Sequence, residues 1–146
     1  MKKRNNLSLS SSTPTIHFID DSPFGYVSNG RDNWLFNIVQ RLSSSYMVYI
    51  HCAKPIKRKE IYDITKLQKK GVKILRYRFV DSNGLLFRII NKLSFWILNH
   101  IRSLFFSIRV FLKLFVIINT RNVTFIFSMN PTFEALPGLL LNKIYR

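Results

Sequence analysis

The sequence predicts an α/β protein with a Rossmann-like parallel sheet that carries helices on both faces. Four short apolar runs have strand character, namely residues 15–20, 46–52, 72–79 and 123–128. Helical pattern lies between each pair of runs, and the runs are nearly continuously apolar at their centres. Strands that alternate with helices pair in parallel, and strands covered on both faces read as unbroken apolar segments.

The first two connections have the pattern of amphipathic helices. Residues 32–43 place Trp34, Leu35, Ile38, Val39 and Leu42 on one helical face, and Asp32 near the start suits the helix dipole. Residues 59–70 place Ile61, Ile64 and Leu67 on one side, and Gly71 follows as the expected C-cap glycine.

The last helix is predicted to begin directly after the fourth strand. Asn130 has the residue type of an N-cap, and Pro131 suits the first helical position. The helix would run towards Tyr145 with a kink or restart at Pro137 and Gly138.

Composition indicates one globular domain. The chain has 146 residues, of which 47% are apolar and 13 are Phe, so a generally disordered chain is excluded. The single cysteine, Cys52, excludes an intramolecular disulfide. Residues 1–14 are basic and then Ser-rich, without the apolar stretch of a signal peptide. We expect them to form a disordered tail and residues 15–146 to form the domain.

The charge balance indicates an anionic partner. Lys and Arg number 23 against seven Asp and Glu, a formal net charge of +16. Nucleic acid, an acidic lipid surface and a phosphorylated substrate all remain open on charge alone.

The segment 85–119 concentrates basic and aromatic residues. At about 100° per residue, five cations fall within an arc of about 100°. With Trp96 they form the predicted membrane-facing set: Arg88, Lys92, Trp96, Arg102, Arg109 and Lys113. Cations recur too often for a spanning helix, which leaves a core-packed helix with solvated cations or an interfacial helix on anionic lipid. We expect a cytoplasmic protein attached peripherally to the inner face of the membrane.

Sequence motifs for several ligand classes are absent. No GxxxxGK[ST] or GxGxxG pattern occurs, so neither a P-loop nor a dinucleotide fingerprint is supported. His17, His51 and His100 are scattered, without the spacing of a metal site. His17 and His51 lie inside strands, and we expect them to be packed or hydrogen-bonded. We predict no metal site and no cofactor.

Ligands of parallel α/β sheets bind at the carboxyl ends of the strands, where the strand order reverses. If the first and fourth strands flank that point, the site is built from residues 20–31 and 128–134. Turn or capping roles for Asp20, Asp21 and Glu134 are an open alternative. The candidate ligand-binding residues are Asp20, Asp21, Gly25, Gly30, Arg31, Asn130, Thr132 and Glu134.

Three segments of the chain carry a resemblance to a known family. They are IHFIDDSPFGYVSNGRDNWLFNIVQRLSSSYMVYIHC, KKGVKILRYRF and FIFSMNPTFEALPGLLLNKIYR. The first resembles the first strand, glycine-bearing loop, first helix and second strand of the N-terminal domain of GT-B glycosyltransferases of the family 4-like type. The second resembles the step into the third strand of that domain, and the third resembles its fourth strand, loop and helix. The resemblance covers nearly the whole chain from Thr15 onwards.

The resemblance implies a role on the acceptor side of sugar transfer. It implies an incomplete N-terminal half of a GT-B fold, whose candidate residues face a sugar, lipid-linked or polysaccharide acceptor. A nucleotide sugar would be bound only together with a C-terminal domain that this sequence lacks. We therefore expect the chain to be inactive alone.

A non-catalytic basic module that binds acidic lipid or nucleic acid is the alternative. Specific nucleic acid recognition is disfavoured, because the cations are spread along the chain without a recognisable reading motif.

Overall fold

The computed structural model describes residues 13–26, 30–55, 61–77, 95–118, 123–130 and 133–145. The predicted α/β class is confirmed, since four parallel strands form one sheet with helices. The strands are β1 Thr15–Asp20, β2 Met47–Ala53, β3 Lys73–Tyr77 and β4 Val123–Ser128. The helices are α1 Gly30–Leu42, α2 Ile64–Lys69, α3 Phe95–Ile118 and α4 Leu136–Ile144, with a 3-10 turn at Phe133–Ala135.

The strand order is β3-β2-β1-β4, and each neighbouring pair is parallel. The chain moves outwards from β1 through β2 to β3, and then returns to the other side of β1 with β4. The order therefore reverses between β1 and β4, which makes the carboxyl ends of these two strands the expected ligand position in such a sheet.

One face of the sheet packs on α1. Side chains from β1 and β2 meet Leu35 and Val39 of α1, together with Phe24 and Leu67. The strand residues in this core are Ile16, Phe18, Val48, Ile50 and Cys52. They alternate along each strand, as side chains on one face of a sheet must.

The opposite face packs on α3 and α4. Ile19 of β1 contacts a cluster with Phe106, Val110 and Leu114 of α3 and Leu141 of α4. Every residue of β1 and β2 is buried, because both faces of these strands are covered. This double cover explains the nearly continuous apolar sequence of the strands.

The predicted helix at 59–70 is shorter in the structure. The Asp63 side chain accepts a hydrogen bond from the backbone N–H of Lys66 and caps α2 at its start. Ile61 therefore lies before the helix and is 53% exposed, which corrects its assignment to the apolar face. Gly71 has a φ of 86° directly after the helix, as predicted for a C-cap glycine.

Trp34 does not belong to the buried face of α1. Leu35 and Val39 are fully buried, whereas Trp34 is 48% exposed. The face that meets the sheet is centred on Leu35 and Val39, and Trp34 lies beside it on the helix surface.

The last helix begins later than predicted. The 3-10 turn at Phe133–Ala135 follows β4, and the N-cap of α4 is Ala135 and not Asn130. Pro137 lies in the first turn of α4, where its missing N–H costs no helical hydrogen bond. Pro137 thus accompanies the start of the helix instead of kinking it.

The helix α3 has 24 residues, with one buried side and an exposed side that carries cations. Its buried side includes Phe106, Val110 and Leu114, whereas Arg109 and Lys113 are exposed. Arg88, Lys92 and the side chain of Trp96 lie outside the described residues. In the described part of the chain, no helix combines the length and apolar character that a bilayer crossing requires.

Candidate functional site

The carboxyl ends of β1 and β4 bring three carboxylates together. Asp20 is the last residue of β1, Asp21 follows it, and Glu134 lies in the 3-10 turn after β4. One oxygen from each of the three carboxylates lies within 4.8 Å of the others. In the described ranges, this is the group of acidic or ligating side chains close enough together to hold a metal ion.

Backbone hydrogen bonds hold the ends of the two strands in place. The N–H of Asp21 donates to Oε1 of Glu134 at 2.8 Å. The N–H of Met129 donates to the carbonyl of Ile19 at 2.9 Å. The first of these bonds holds the Glu134 side chain at the carboxyl end of β1, and the second joins β1 to β4.

Asp20 is fully buried and uses one carboxylate oxygen for the fold. Its Oδ1 lies 3.2 Å from Nη2 of Arg31 and accepts the backbone N–H of Ser22 at 2.9 Å. Burial raises the pKa of Asp20 above its ordinary value, while the Ser22 N–H and the Arg31 guanidinium act in the opposite direction. The Arg31 contact joins α1 to the carboxyl end of β1.

Glu134 is also fully buried. Burial is the main reason that its pKa lies well above the ordinary value, and the neighbouring side chains of Asp21 and Asp20 raise it further. A buried carboxyl that holds its proton beside a half-exposed carboxylate can take part in proton transfer.

A cleft of about 210 Å³ opens beside Glu134. It is lined by Ile126, Ser128, Glu134, Ala135, Gly138 and Leu139. A Cβ on Gly138 would come within 3.5 Å of the Ile126 side chain, so glycine keeps α4 close to β4. The cleft combines an apolar wall with polar groups at the carboxyl edge of the sheet.

The loop after β1 is shaped by Gly25 and Asp32. Gly25 has a φ of 87°, and its N–H donates to Oδ2 of the buried Asp32 at 3.2 Å. A Cβ at this position would lie 2.3 Å from Cδ1 of Ile64. Gly25 thus has a structural reason to be glycine, and Asp32 anchors the loop in addition to lying near the helix start.

The remaining predicted residues differ in position. Gly30 is the exposed first residue of α1, with nothing within 4 Å of where a Cβ would stand. The carbonyl of half-buried Asn130 accepts a hydrogen bond from the Ser128 hydroxyl. Thr132 lies outside the described residues. The structure therefore brings Asp20, Asp21, Arg31 and Glu134 together and gives Gly25 a role in the backbone of the loop.

Two buried histidines and the half-buried Tyr77 form a hydrogen-bonded chain that crosses the sheet beneath α3. Nδ1 of His17 lies 2.9 Å from Nε2 of His51, and Nδ1 of His51 lies 2.7 Å from the Tyr77 hydroxyl. The ring of Tyr49 stacks on His17 with centroids 4.5 Å apart. Burial lowers the pKa of both histidines below the ordinary value of 6.5, so both are neutral at pH 7.

Comparison with protein-family models, curated proteins and solved structures finds no match to this chain.

Sequence reasoning missed the mutual contacts within both polar groups. His17, His51 and Tyr77 each lie in a different strand-like run, which was the available sign of the histidine chain. Whether they meet depends on the register between the strands. The carboxylate cluster is not marked by a His or Cys motif with the spacing of a metal site, and Asp21 and Glu134 are 113 residues apart. The position of Glu134 near the end of the fourth strand was the available signal.

Proposed function

We propose that this chain is the acceptor-binding part of a GT-B-type glycosyltransferase. The observation that carries the proposal is the convergence of Asp20, Asp21, Arg31 and Glu134 beside a cleft, between the carboxyl ends of β1 and β4. This is the position at which α/β sheets bind ligands. The resemblance of the sequence to the N-terminal domain of these enzymes supplies the substrate class.

The polar groups of the cleft suit a hydroxylated acceptor. Ser128 and Glu134 line the cleft, and the neighbouring Asp21 is half-exposed. Carboxylates accept hydrogen bonds from sugar hydroxyls, and the apolar side chains of Ile126 and Leu139 can contact the face of a sugar ring.

Sugar transfer also requires the acceptor hydroxyl to lose its proton. In our proposal, Asp21 accepts that proton, since a general base must be a titratable group within hydrogen-bond reach of the reacting hydroxyl. Arg31 positions Asp20 through their ion pair and so maintains the geometry of the carboxyl end of β1.

The proposal places the donor on another domain. In the family that the sequence resembles, a second α/β domain binds the sugar nucleotide, and the reaction takes place in the cleft between the two domains. We therefore propose that the described chain binds a sugar or lipid-linked acceptor and requires such a domain for turnover.

Saccharide binding tests the acceptor role. The purified chain is screened by saturation-transfer NMR against a panel of oligosaccharides, and against UDP- and GDP-sugars in separate samples. We expect saccharide binding that is lost in Asp21→Asn and Glu134→Gln and kept in Asp63→Asn, whose carboxylate is exposed at the N-cap of α2. Hydrolysis of a nucleotide sugar by the chain alone, or no saccharide binding by folded protein, would contradict the proposal.

A second function is favoured by the exposed surface of α3. Phe105, Leu112 and Val116 are 50%, 59% and 58% exposed. Among the side chains of this helix that the structure describes, the exposed large apolar ones are Ile97, Phe105, Ile108, Leu112, Phe115 and Val116. At about 100° per residue, Arg102, Arg109 and Lys113 fall between this apolar surface and the buried face of the helix.

This arrangement matches an interfacial helix. Its apolar residues can enter the headgroup boundary while the neighbouring cations meet acidic headgroups. The net charge of +16 adds a general attraction to an anionic surface. We propose that α3 attaches the protein peripherally to acidic lipid on the cytoplasmic side, where a lipid-linked acceptor would also lie.

Vesicle flotation tests the attachment. The protein is mixed with phosphatidylcholine vesicles, with or without phosphatidylserine. We expect flotation only with the acidic vesicles, and its loss in Arg109→Glu/Lys113→Glu. The matched control Lys66→Glu/Lys69→Glu changes two exposed cations of α2 and keeps binding. Equal, negligible flotation with both vesicles would reject the attachment, and equal loss in both variants would show that α3 has no special role.

A further inference from the structure

Two buried carboxylates at the carboxyl end of the sheet each leave one oxygen without a hydrogen-bond partner. Among the described residues, Oδ2 of Asp20 and Oε2 of Glu134 are buried and have no such partner. Both side chains are 0% exposed. Buried polar atoms are nearly always satisfied in folded proteins, so two orphaned carboxylate oxygens in one cluster indicate a missing positive partner.

The other oxygens of these two carboxylates are already used by the fold. Oδ1 of Asp20 faces Arg31 and Ser22, and Oε1 of Glu134 accepts the Asp21 N–H. These contacts fix both carboxylates without occupying Oδ2 or Oε2. The fold thus positions two potential ligands before any ion binds, which lowers the entropic cost of binding.

The spacing suits a divalent cation. One oxygen from each of Asp20, Asp21 and Glu134 lies within 4.8 Å of the others. Oxygens bound to Mg²⁺ or Ca²⁺ at about 2.0–2.6 Å are at most about 4–5 Å apart across the ion. A cation can therefore contact all three carboxylates with small side-chain adjustments.

The local charges point in the same direction. Three carboxyl groups share the cluster, and Arg31 is ion-paired with Asp20 at 3.2 Å. Asp32 adds a further negative charge that acts on Asp20. A divalent cation would offset the negative charge of this group and replace the proton on Glu134, and the cleft beside Glu134 offers space for water ligands.

We infer that Asp20, Asp21 and Glu134 form a binding site for a divalent cation that prefers oxygen ligands, such as Mg²⁺ or Mn²⁺. Hard cations of this kind are bound by carboxylates and water, without the histidine or cysteine ligands that zinc prefers. The inference goes beyond the proposed sugar transfer and does not depend on it, because cation binding is a property of this chain alone.

Mn²⁺ binding to the full chain tests the site. Protein freed of metal with EDTA and dialysed is titrated with Mn²⁺, and free Mn²⁺ is measured by electron paramagnetic resonance. We expect one saturable Mn²⁺ per chain, displaced by Mg²⁺, and a melting temperature that rises with Mn²⁺ concentration. Asp21→Asn and Glu134→Gln should each weaken binding at least about tenfold, as the loss of groups at a metal site commonly does.

The variants are chosen so that folding is preserved. The side-chain oxygen of Gln at position 134 can still accept the Asp21 N–H, and Asp21 is only half-buried. Asp63→Asn removes an exposed carboxylate elsewhere and should leave Mn²⁺ affinity unchanged. Circular dichroism checks the fold, and if Glu134→Gln unfolds, Asp21→Asn alone decides. Absence of saturable Mn²⁺ binding, or unchanged affinity in folded Asp21→Asn, would overturn the inference.

Discussion

The backbone N–H of Asp21 donates a 2.8 Å hydrogen bond to Oε1 of Glu134, across 113 residues of sequence. The bond joins the residue after β1 to the 3-10 turn after β4. Because Glu134 is fully buried, its side chain contributes to the fold as well as to the candidate site. Function and stability are therefore coupled at this residue.

Replacement of Glu134 should show how much its hydrogen bond with Asp21 contributes to stability. Glu134→Ala leaves the Asp21 N–H without its acceptor, and we expect the free energy of unfolding to fall by about 1–3 kcal/mol. Glu134→Gln keeps an oxygen at the same place and should cost less. Urea denaturation followed by circular dichroism measures both. Equal losses in the two variants would mean that the hydrogen bond has no part in stability.

Arg31 should stabilise the protein through Asp20. Arg31→Met leaves the buried carboxylate without its ion-pair partner, and we expect a loss of about 1–3 kcal/mol, below the cost for a fully buried pair. Asp20→Asn combined with Arg31→Met should recover part of the loss. The matched control Arg41→Met alters an exposed arginine of the same helix and should change stability by less than about 0.5 kcal/mol. Comparable losses in the two single variants would contradict the pairing.

Gly25 and Gly71 offer a comparison between strain and overlap. Both have positive φ, 87° and 86°, so alanine should cost about 1–2 kcal/mol at either position. At Gly25 a Cβ would also lie 2.3 Å from Ile64, which adds an overpacking cost of about 1–3 kcal/mol. At Gly71, no atom lies within 4 Å of where a Cβ would stand. Gly25→Ala should therefore have a lower melting temperature than Gly71→Ala in thermal denaturation. The reverse order would refute the described loop geometry.

The buried histidines should make stability depend on pH. Their folded-state pKa values are lowered by burial, so the unfolded chain takes up protons first as the pH falls below 6.5. The histidine contribution is fully present above that pH, and it is lost as the pH falls towards the lower folded-state values. The slope should approach about 1.4 kcal/mol per pH unit for each histidine.

Variants of the histidine chain test the origin of that slope. His17→Gln/His51→Gln should flatten the dependence of the free energy of unfolding on pH between 4.5 and 6.5, an interval of about two pH units below the ordinary histidine pKa. Tyr77→Phe removes a hydrogen-bond partner but no group that titrates there, so it should lower stability without changing the slope. An unchanged slope in the double variant would assign the pH dependence to other groups.

The strand positions could be predicted because burial on both faces leaves a direct mark on the sequence. β1 and β4 were predicted with their observed bounds, and β2 is shifted by one residue from its predicted run. β3 begins one residue later than predicted, and residues 78–79 of its predicted run lie outside the described residues. The length of α2 could not be read from periodicity. The Asp63 cap starts that helix, and Ile61 fits the apolar pattern while lying outside it.

The region of the candidate site could be predicted from the sequence, but the contacts within it could not. The ends of β1 and β4 follow from the order of the elements, so Asp20, Asp21 and Glu134 could be assigned to one region. The burial of Glu134 and its hydrogen bond with Asp21 depend on the 3-10 turn, for which the predicted Asn130 cap was wrong. Orphaned oxygens become visible only when the packing around each atom is known.

The buried thiol of Cys52 can be used to measure how often the core of the protein opens. Cys52 is the sole cysteine of the chain and lies on β2, on the face of the sheet that packs on α1. It is 0% exposed, and burial raises the pKa of its thiol to about 12. A thiol reagent can therefore react only after the sheet has separated from α1 or the chain has unfolded. The labelling rate would measure how often this core opens under native conditions, without any engineered probe.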